Sequence, residues 1–259
     1  MEEFLKKIIL SIRRFFREKL HYKAEDLPYY ITLFVAFIVF VVGLNAFVDL
    51  TEELVEDNLG EFDAAVTNKM IEWRGERLTL FLIFITNVGN TTGYLVVTAL
   101  LVAYFLIRHR SWRFILQTVV VLLLATLSNM ALKEVFNRAR PEIDHLVVVH
   151  SLSYPSGHAM SAMGFYGFLI FLTARYKMNI VLKFVLILVL ASLIFLIGLS
   201  RVYLGVHFPS DVVAGFIGGL IWVALCAIIF DVIDLYRKRQ QRINELSMIR
   251  QEQLKSEEK

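Results

Sequence analysis

Only one cysteine, Cys226, stands in this chain of 259 residues, and it lies inside an apolar run. An intrachain disulfide is therefore excluded, and a small membrane-buried thiol is its expected role. Charge is scarce too: 20% of residues are Asp, Glu, Lys or Arg, against 57% hydrophobic. The formal net charge of +3 says little about partners, because the charges are segregated rather than spread. No internal repeat, low-complexity tract or second domain is visible, and no metal-ligand spacing is recognisable. Glu142, Asp144, His145 and His150 are the remaining candidate ligands, and they read as a solvated loop. Neither a cofactor nor a nucleic-acid partner is expected.

What the chain does have is a set of apolar runs close to membrane-spanning length, which a soluble domain of this size does not carry. A hydrocarbon core of about 30 Å needs about 20 helical residues. Candidate spans are Tyr29–Val48, Asn90–Ile107, Trp112–Leu132, His158–Tyr176, Ile180–Leu199 and Val212–Ile233. Leu78–Val88 is also apolar, and Asn87-Val-Gly-Asn90 interrupts it, so 78–107 reads as a single crossing with a bent or re-entrant extension. The expected architecture is an all-α membrane protein of six spans with both termini cytoplasmic. Its parts are a basic amphipathic segment over 1–28, a membrane domain over 29–233, and a charged tail over 234–259.

Cation distribution supports that orientation. Seven Lys or Arg fall near the N-terminus and seven in the tail; Arg108, Arg110, Arg113, Arg175, Lys177 and Lys183 crowd the short inner connections. The outer segments carry Lys69, Arg74, Arg77, Lys133, Arg138, Arg140 and Arg201. In the first segment, Lys6, Lys7, Arg13, Arg14 and Arg17 interrupt any signal-peptide core, while Phe4, Ile8, Ile12, Phe15 and Phe16 recur at helical spacing. Between the first two spans, 49–77 holds nine acidic residues, and Phe62, Val66, Met70 and Trp73 are expected to line one side of an amphipathic helix.

Three motifs lie beside the runs: Lys133-x6-Arg140-Pro141, Tyr154-Pro155-Ser156-Gly157-His158 and Ser200-Arg201-x5-His207-x3-Asp211. Span parity puts all three on the outer face. Ionisable groups beside a bilayer are costly unless paired, solvated or used. His207 and Asp211, four apart, share a face on a helical turn. Asp211 accepting the Nδ1 proton would leave Nε2 free to attack phosphorus. Ser156 and Gly157 mark a helix start, where exposed N–H groups and the macrodipole favour an anion, and His158 would stand beside it. Lys133, Arg140 and Arg201 can converge on a phosphoryl group. Each motif also has an ordinary explanation: a helix-capping Asp, a capped helix start, cations snorkelling to headgroups. Their conjunction is what points to a site.

The three motifs, in this order and without a departure in the defining residues, resemble the type 2 phosphatidic acid phosphatase superfamily. The resemblance runs from the first span through the sixth. It implies a metal-free phosphatase in which His207 is the nucleophile forming a phosphohistidine, Asp211 orients it, and His158 is the general acid. Lys133, Arg140, Ser156, Gly157 and Arg201 would bind the phosphate. It implies a lipid phosphate or pyrophosphate substrate: phosphatidylglycerophosphate, phosphatidate or undecaprenyl pyrophosphate. A multi-pass protein of a bacterial plasma membrane is the expected setting. Two alternatives stay open at this point, a lipid phosphotransferase on the same scaffold and a non-catalytic lipid-phosphate binding or transport protein. Oligomeric state is not readable.

Overall fold

The computed structural model describes residues 26–107, 112–149 and 151–257. The basic amphipathic segment expected at the N-terminus lies outside them except for its last residues, as does His150. Among the described residues there are eight α-helices: α1 Leu27–Val55, α2 Gly60–Glu72, α3 Glu76–Val88, α4 Thr91–Ile107, α5 Arg113–Phe136, α6 Gly157–Arg175, α7 Ile180–Tyr203 and α8 Pro209–Glu257. They divide into two compact units. One comprises the described residues up to Phe37 with those from Ala227 onward, where Arg242 grips the Asp26 carboxylate at 3.0 and 3.1 Å. The other, residues 38–226, contains all three motifs.

Among the described residues five helices are long and apolar enough to cross a bilayer, and the α3–α4 pair makes a sixth if taken as one crossing. That pair bends by 60° at the Asn87–Asn90 interruption. The break is chemically finished on both sides. Asn90 Oδ1 accepts the Gly93 N–H at 2.9 Å, the N-cap that restarts the helix. Tyr166 donates its hydroxyl to the Val88 carbonyl at 2.9 Å, satisfying a group the break sets free. Large apolar side chains such as Phe34, Leu100, Phe184 and Phe195 stay exposed on α1, α4 and α7, as lipid-facing surfaces do.

The helices outrun the expected spans. α1 continues to Val55, α5 to Phe136, α7 to Tyr203 and α8 to Glu257. Hydrocarbon thickness limits the apolar run, whereas backbone hydrogen bonding continues into polar residues of good helix propensity. The extension of α7 puts Ser200 and Arg201 inside its last turn rather than after it.

α6 is the centre of the second unit, packed on α5 and α7, with α3 and α2 against α7. Phe165 and Tyr166 of α6 are buried with Tyr94, Ile85, Ala162, Ile194 and Ile197 in the main apolar cluster. α8 approaches α6 through glycine. A Cβ on Gly215 would stand 2.6 Å from the Ser156 carbonyl oxygen, and one on Gly219 2.5 Å from that of Met160. Close backbone contact of this kind is how membrane helices gain packing without a hydrophobic driving force. Trp222 is likewise a packing group, donating to Ser128 Oγ at 2.7 Å.

Of the apolar side expected over 49–77, Phe62 and Trp73 are exposed, and the buried residues of α2 are Asp63 and Thr67. Met70 does pack inward, against Ala159, Val202 and Val212. The helix is turned so that a carboxylate faces the protein, because a charged partner waits there.

Candidate active site

Each motif enters the site from the end of a helix. Lys133 lies in the last turn of α5, which Asn137 closes in the left-handed region at φ 46°, its N–H on the Lys133 carbonyl. Asparagine tolerates this conformation. The chain then runs extended, with the Ser153 N–H on the Arg138 carbonyl at 2.9 Å. This pairing brings Arg138 and Arg140 beside the segment leading into α6. After α7, Gly205 turns the backbone at φ 78°, where a Cβ would also meet the Asp144 carbonyl at 2.8 Å, and the chain is delivered to His207.

His207 is buried, and its Nδ1 lies 3.3 Å from Asp211 Oδ2. The same oxygen accepts the Phe208 N–H at 2.9 Å and the Ser153 hydroxyl, so Asp211 also caps the start of α8. Its other oxygen, Oδ1, takes Arg138 Nη1 at 2.6 Å. With Nδ1–H on the carboxylate, the imidazole presents Nε2 as a lone pair. Burial pushes the His207 pKa down to about 3; the Asp211 hydrogen bond opposes this shift, and Arg201 and Arg140 add to it. The ring is therefore neutral at ordinary pH, the state a nitrogen nucleophile requires.

The cations gather around that nitrogen. Arg140 Nη1 is 3.5 Å from His207 Nε2, and its guanidinium is strapped by the carbonyls of Ser151, at 2.6 Å from Nε, Leu152 and Val206. Lys133 does not snorkel outward. It is buried and donates to the carbonyls of Leu152 and Ser153. Arg201 is 4% exposed, and its Nη1 donates to Thr86 Oγ1 at 2.7 Å, which ties the end of α7 to α3 before its break. His158, half-buried in the first turn of α6, lies within electrostatic reach of Arg201, His207, Arg140 and Lys133. The three motifs thus meet in one place.

Two donors here have no acceptor. Ser156 holds the N-cap position of α6 but makes no capping bond; its Oγ is buried without a partner, and so is Arg201 Nε. A buried donor left unsatisfied costs about 1–3 kcal/mol, which an anion at this position would recover. Gly157 adds close access, since a Cβ there would lie 2.9 Å from Asn129 Oδ1. Asn129 in turn donates to the Pro155 carbonyl at 2.9 Å and holds the approach to the helix start. Ser156 therefore stands at the helix start without making a side-chain cap.

Residues the motifs did not announce complete the arrangement: Ser153 on Asp211, Thr86 on Arg201, and Arg138 with Asp63 behind Asp211. Arg138 sits two residues before Arg140, outside the Lys-x6-Arg-Pro spacing, and Asp63 is one of nine acidic residues in 49–77, so neither carried a spacing signal. Glu142, Asp144 and His145 do not join the site; His145 Nε2 lies 3.0 Å from the Pro141 carbonyl in the loop between α5 and α6. Among the described residues, no group of three or more His, Cys, Asp or Glu is placed to hold a metal ion.

The PAP2 superfamily model matches residues 114–233, the stretch that holds all three motifs. Phosphatidylglycerophosphatase B of Bacillus subtilis (strain 168) is 30% identical over 180 residues, which cover 68% of this chain and 87% of that protein. The chain belongs to the PAP2 superfamily. The crystal structure of a transmembrane PAP2-type phosphatidylglycerolphosphate phosphatase from Bacillus subtilis superposes with a TM-score of 0.69 at 29% identity, covering 75% of this chain and 96% of that one. A lipid A 1-phosphatase of Rhizobium johnstonii is 33% identical over 114 residues, covering 40% of this chain and 42% of its own. Membership makes this PAP2 chain a multi-pass membrane protein of the lipid-phosphatase kind, and it places the motif residues in the part of the sequence that defines the family.

Proposed function

We propose that this PAP2 protein hydrolyses a lipid phosphate or pyrophosphate through a phosphohistidine on His207, without a metal. The enzyme class, lipid phosphate phosphatase, is that of the relatives described above. The buried, unpartnered Ser156 Oγ and Arg201 Nε, beside a neutral His207, carry the reading. They supply donors for a phosphoryl group at the point where a nucleophilic nitrogen is available.

In the proposed reaction Lys133, Arg140, Arg201, Ser156 and the Gly157 N–H hold the three equatorial oxygens. Nε2 of His207 bonds to phosphorus while the bond to the leaving oxygen breaks, and that oxygen takes a proton from His158. Asp211 accepts the Nδ1 proton's hydrogen bond and stabilises the imidazolium character that develops. His158, now unprotonated, takes a proton from water as the water oxygen bonds to phosphorus. The P–N bond breaks, inorganic phosphate leaves, and Nε2 regains its lone pair.

The cation bias along the chain supports six crossings with both termini cytoplasmic and the site at the extracytoplasmic surface of a bacterial plasma membrane. A site there suits a lipid entering laterally. Phosphatidylglycerophosphate is the first candidate because the Bacillus subtilis relatives bear that name. Phosphatidate and undecaprenyl pyrophosphate complete the panel.

Purified protein in detergent should release inorganic phosphate from at least one of the three lipids with no acceptor present, and His207→Ala should abolish release. Release that needs an added acceptor would make the protein a transferase. An alanine variant that keeps full activity would remove His207 from the chemistry. EDTA should leave turnover unchanged, and the reading does not survive an activity that EDTA abolishes and Mg²⁺ restores. Vanadate should inhibit by adopting the five-coordinate geometry of the transition state at His207; indifference to saturating vanadate would count against that site.

A further inference from the structure

The nucleophile's carboxylate is itself held by a charge network that reaches outside the family motifs. Asp211 is fully buried, and Arg138 Nη1 meets its Oδ1 at 2.6 Å, leaving Oδ2 to His207. The other arm of the guanidinium, Nη2, meets Asp63 Oδ2 at 2.7 Å. Asp63, 2% exposed, also receives the Ser210 N–H at 2.9 Å on Oδ1 and the Ser210 hydroxyl at 2.6 Å on Oδ2. Ser210 Oγ in turn accepts from Arg138 Nη1 at 2.8 Å, and the guanidinium lies 4.2 Å over the Phe208 ring. Ser210 and Phe208 flank Pro209 at the start of α8, beside both members of the dyad. One guanidinium thus bridges two buried carboxylates, and one of them belongs to α2, far away in sequence.

Such a set is an expensive way to hold a helix in place. Removing two carboxylates and a guanidinium from water carries a desolvation penalty that their attraction only partly repays, and apolar replacements are often as stable. The geometry offers something packing does not. With Arg138 Nη1 on Oδ1 and the Phe208 N–H and Ser153 hydroxyl on Oδ2, the rotation of the Asp211 carboxylate is fixed from both sides, and that rotation sets where the imidazole points. Asp63 fixes the guanidinium and the first turn of α8 at once.

We infer that Arg138 and Asp63 are positioning residues for the His207–Asp211 dyad, and that α2, through Asp63, is part of the machinery that orients the nucleophile. The inference rests on the phosphohistidine reading above. It accounts for the orientation of α2, which turns Asp63 inward and leaves Phe62 and Trp73 exposed. It requires that losses appear in turnover rather than in substrate binding, since neither residue faces the phosphate donors.

The test measures phosphate release from the three-lipid panel by purified wild-type, Arg138→Gln, Arg138→Lys, Asp63→Asn and Asp63→Glu proteins, with His207→Ala as the inactive reference. Misplacing a reacting group by an ångström costs about 100-fold, so Arg138→Gln should lose about 100-fold in kcat with KM held within about twofold. Arg138→Lys supplies the charge without the fork and should fall between it and wild type, about 10-fold down. Asp63→Asn should lose about 10-fold in kcat, and the Asp63→Asn/Arg138→Gln double variant should be no worse than Arg138→Gln alone, because both act through one carboxylate. Wild-type kcat in both single variants, a loss confined to KM, or fully additive losses would each overturn the inference while leaving the phosphatase reading intact. A wild-type protein that releases no phosphate from any lipid overturns that reading and this inference with it. Should Arg138→Gln elute as aggregate, Arg138→Lys decides: unchanged kcat in a well-folded lysine variant overturns the proposal, and a reduced kcat at unchanged KM supports it.

Discussion

At the scale of single residues, burial sets the chemistry of His207. An imidazole in water is half protonated near 6.5, whereas desolvation takes this one down to about 3 despite the opposing pull of Asp211. The folded value lies below the ordinary one, so as pH falls the unfolded chain binds its proton first. The stability His207 contributes is whole above about 6.5 and drains away as pH drops toward about 3. His207→Gln should therefore lose less melting temperature than wild type between about pH 7 and about pH 5. Equal losses would mean the imidazole titrates alike in folded and unfolded protein. Arg140 is similarly pushed down by burial, with Asp211 opposing, yet an arginine keeps its charge across any working pH. The eight site residues expected from the motifs all have a place in one cluster, since each sits in a spacing that physical chemistry can interpret. Arg138, Asp63 and Ser153 join the same cluster but were not legible, because a lone arginine or serine in a loop, or an aspartate in an acidic segment, has no pattern until its partner is located.

At the scale of elements, contact between α6 and α8 depends on two backbones meeting without side chains between them. Gly219 faces the Met160 carbonyl so closely that a methyl group would stand 2.5 Å from it. Gly219→Ala should destabilise the detergent-solubilised protein by about 1–3 kcal/mol, read from thermal or denaturant unfolding. An unchanged midpoint would show that the helices can separate at no cost. The break at Asn87–Asn90 was legible, because asparagine and glycine interrupt an apolar run. The face that α2 buries was not legible. Apolar spacing favours Phe62, Val66, Met70 and Trp73, but next to a membrane an apolar face is not forced inward, and the ion pair with Arg138 decides the rotation instead.

At the scale of the whole molecule, the arrangement of charge predicts which side of the membrane the site faces. The loop between α5 and α6 supplies the carbonyls that hold Lys133 and Arg140, and Val148 within it is 83% exposed. The chain's single thiol, Cys226, is buried and leaves a quiet background for labelling. Val148→Cys should react with a membrane-impermeant maleimide in intact cells. Labelling that appears after permeabilisation alone would place the loop and the site on the cytoplasmic side.

The amino-acid sequence by itself determined that this chain is helical and membrane-embedded, and it identified the residues of three motifs. Apolar run length, helix-breaking residues and spacings within a turn or two are local properties, readable without coordinates. Tertiary structure decided what those residues do to one another. It left Ser156 Oγ and Arg201 Nε buried without acceptors, made His207 neutral by enclosing it, and brought Asp63 across the molecule to the arginine behind Asp211. Burial and long-range pairing depend on which surfaces meet, and that follows from packing the helices together rather than from any one stretch of chain.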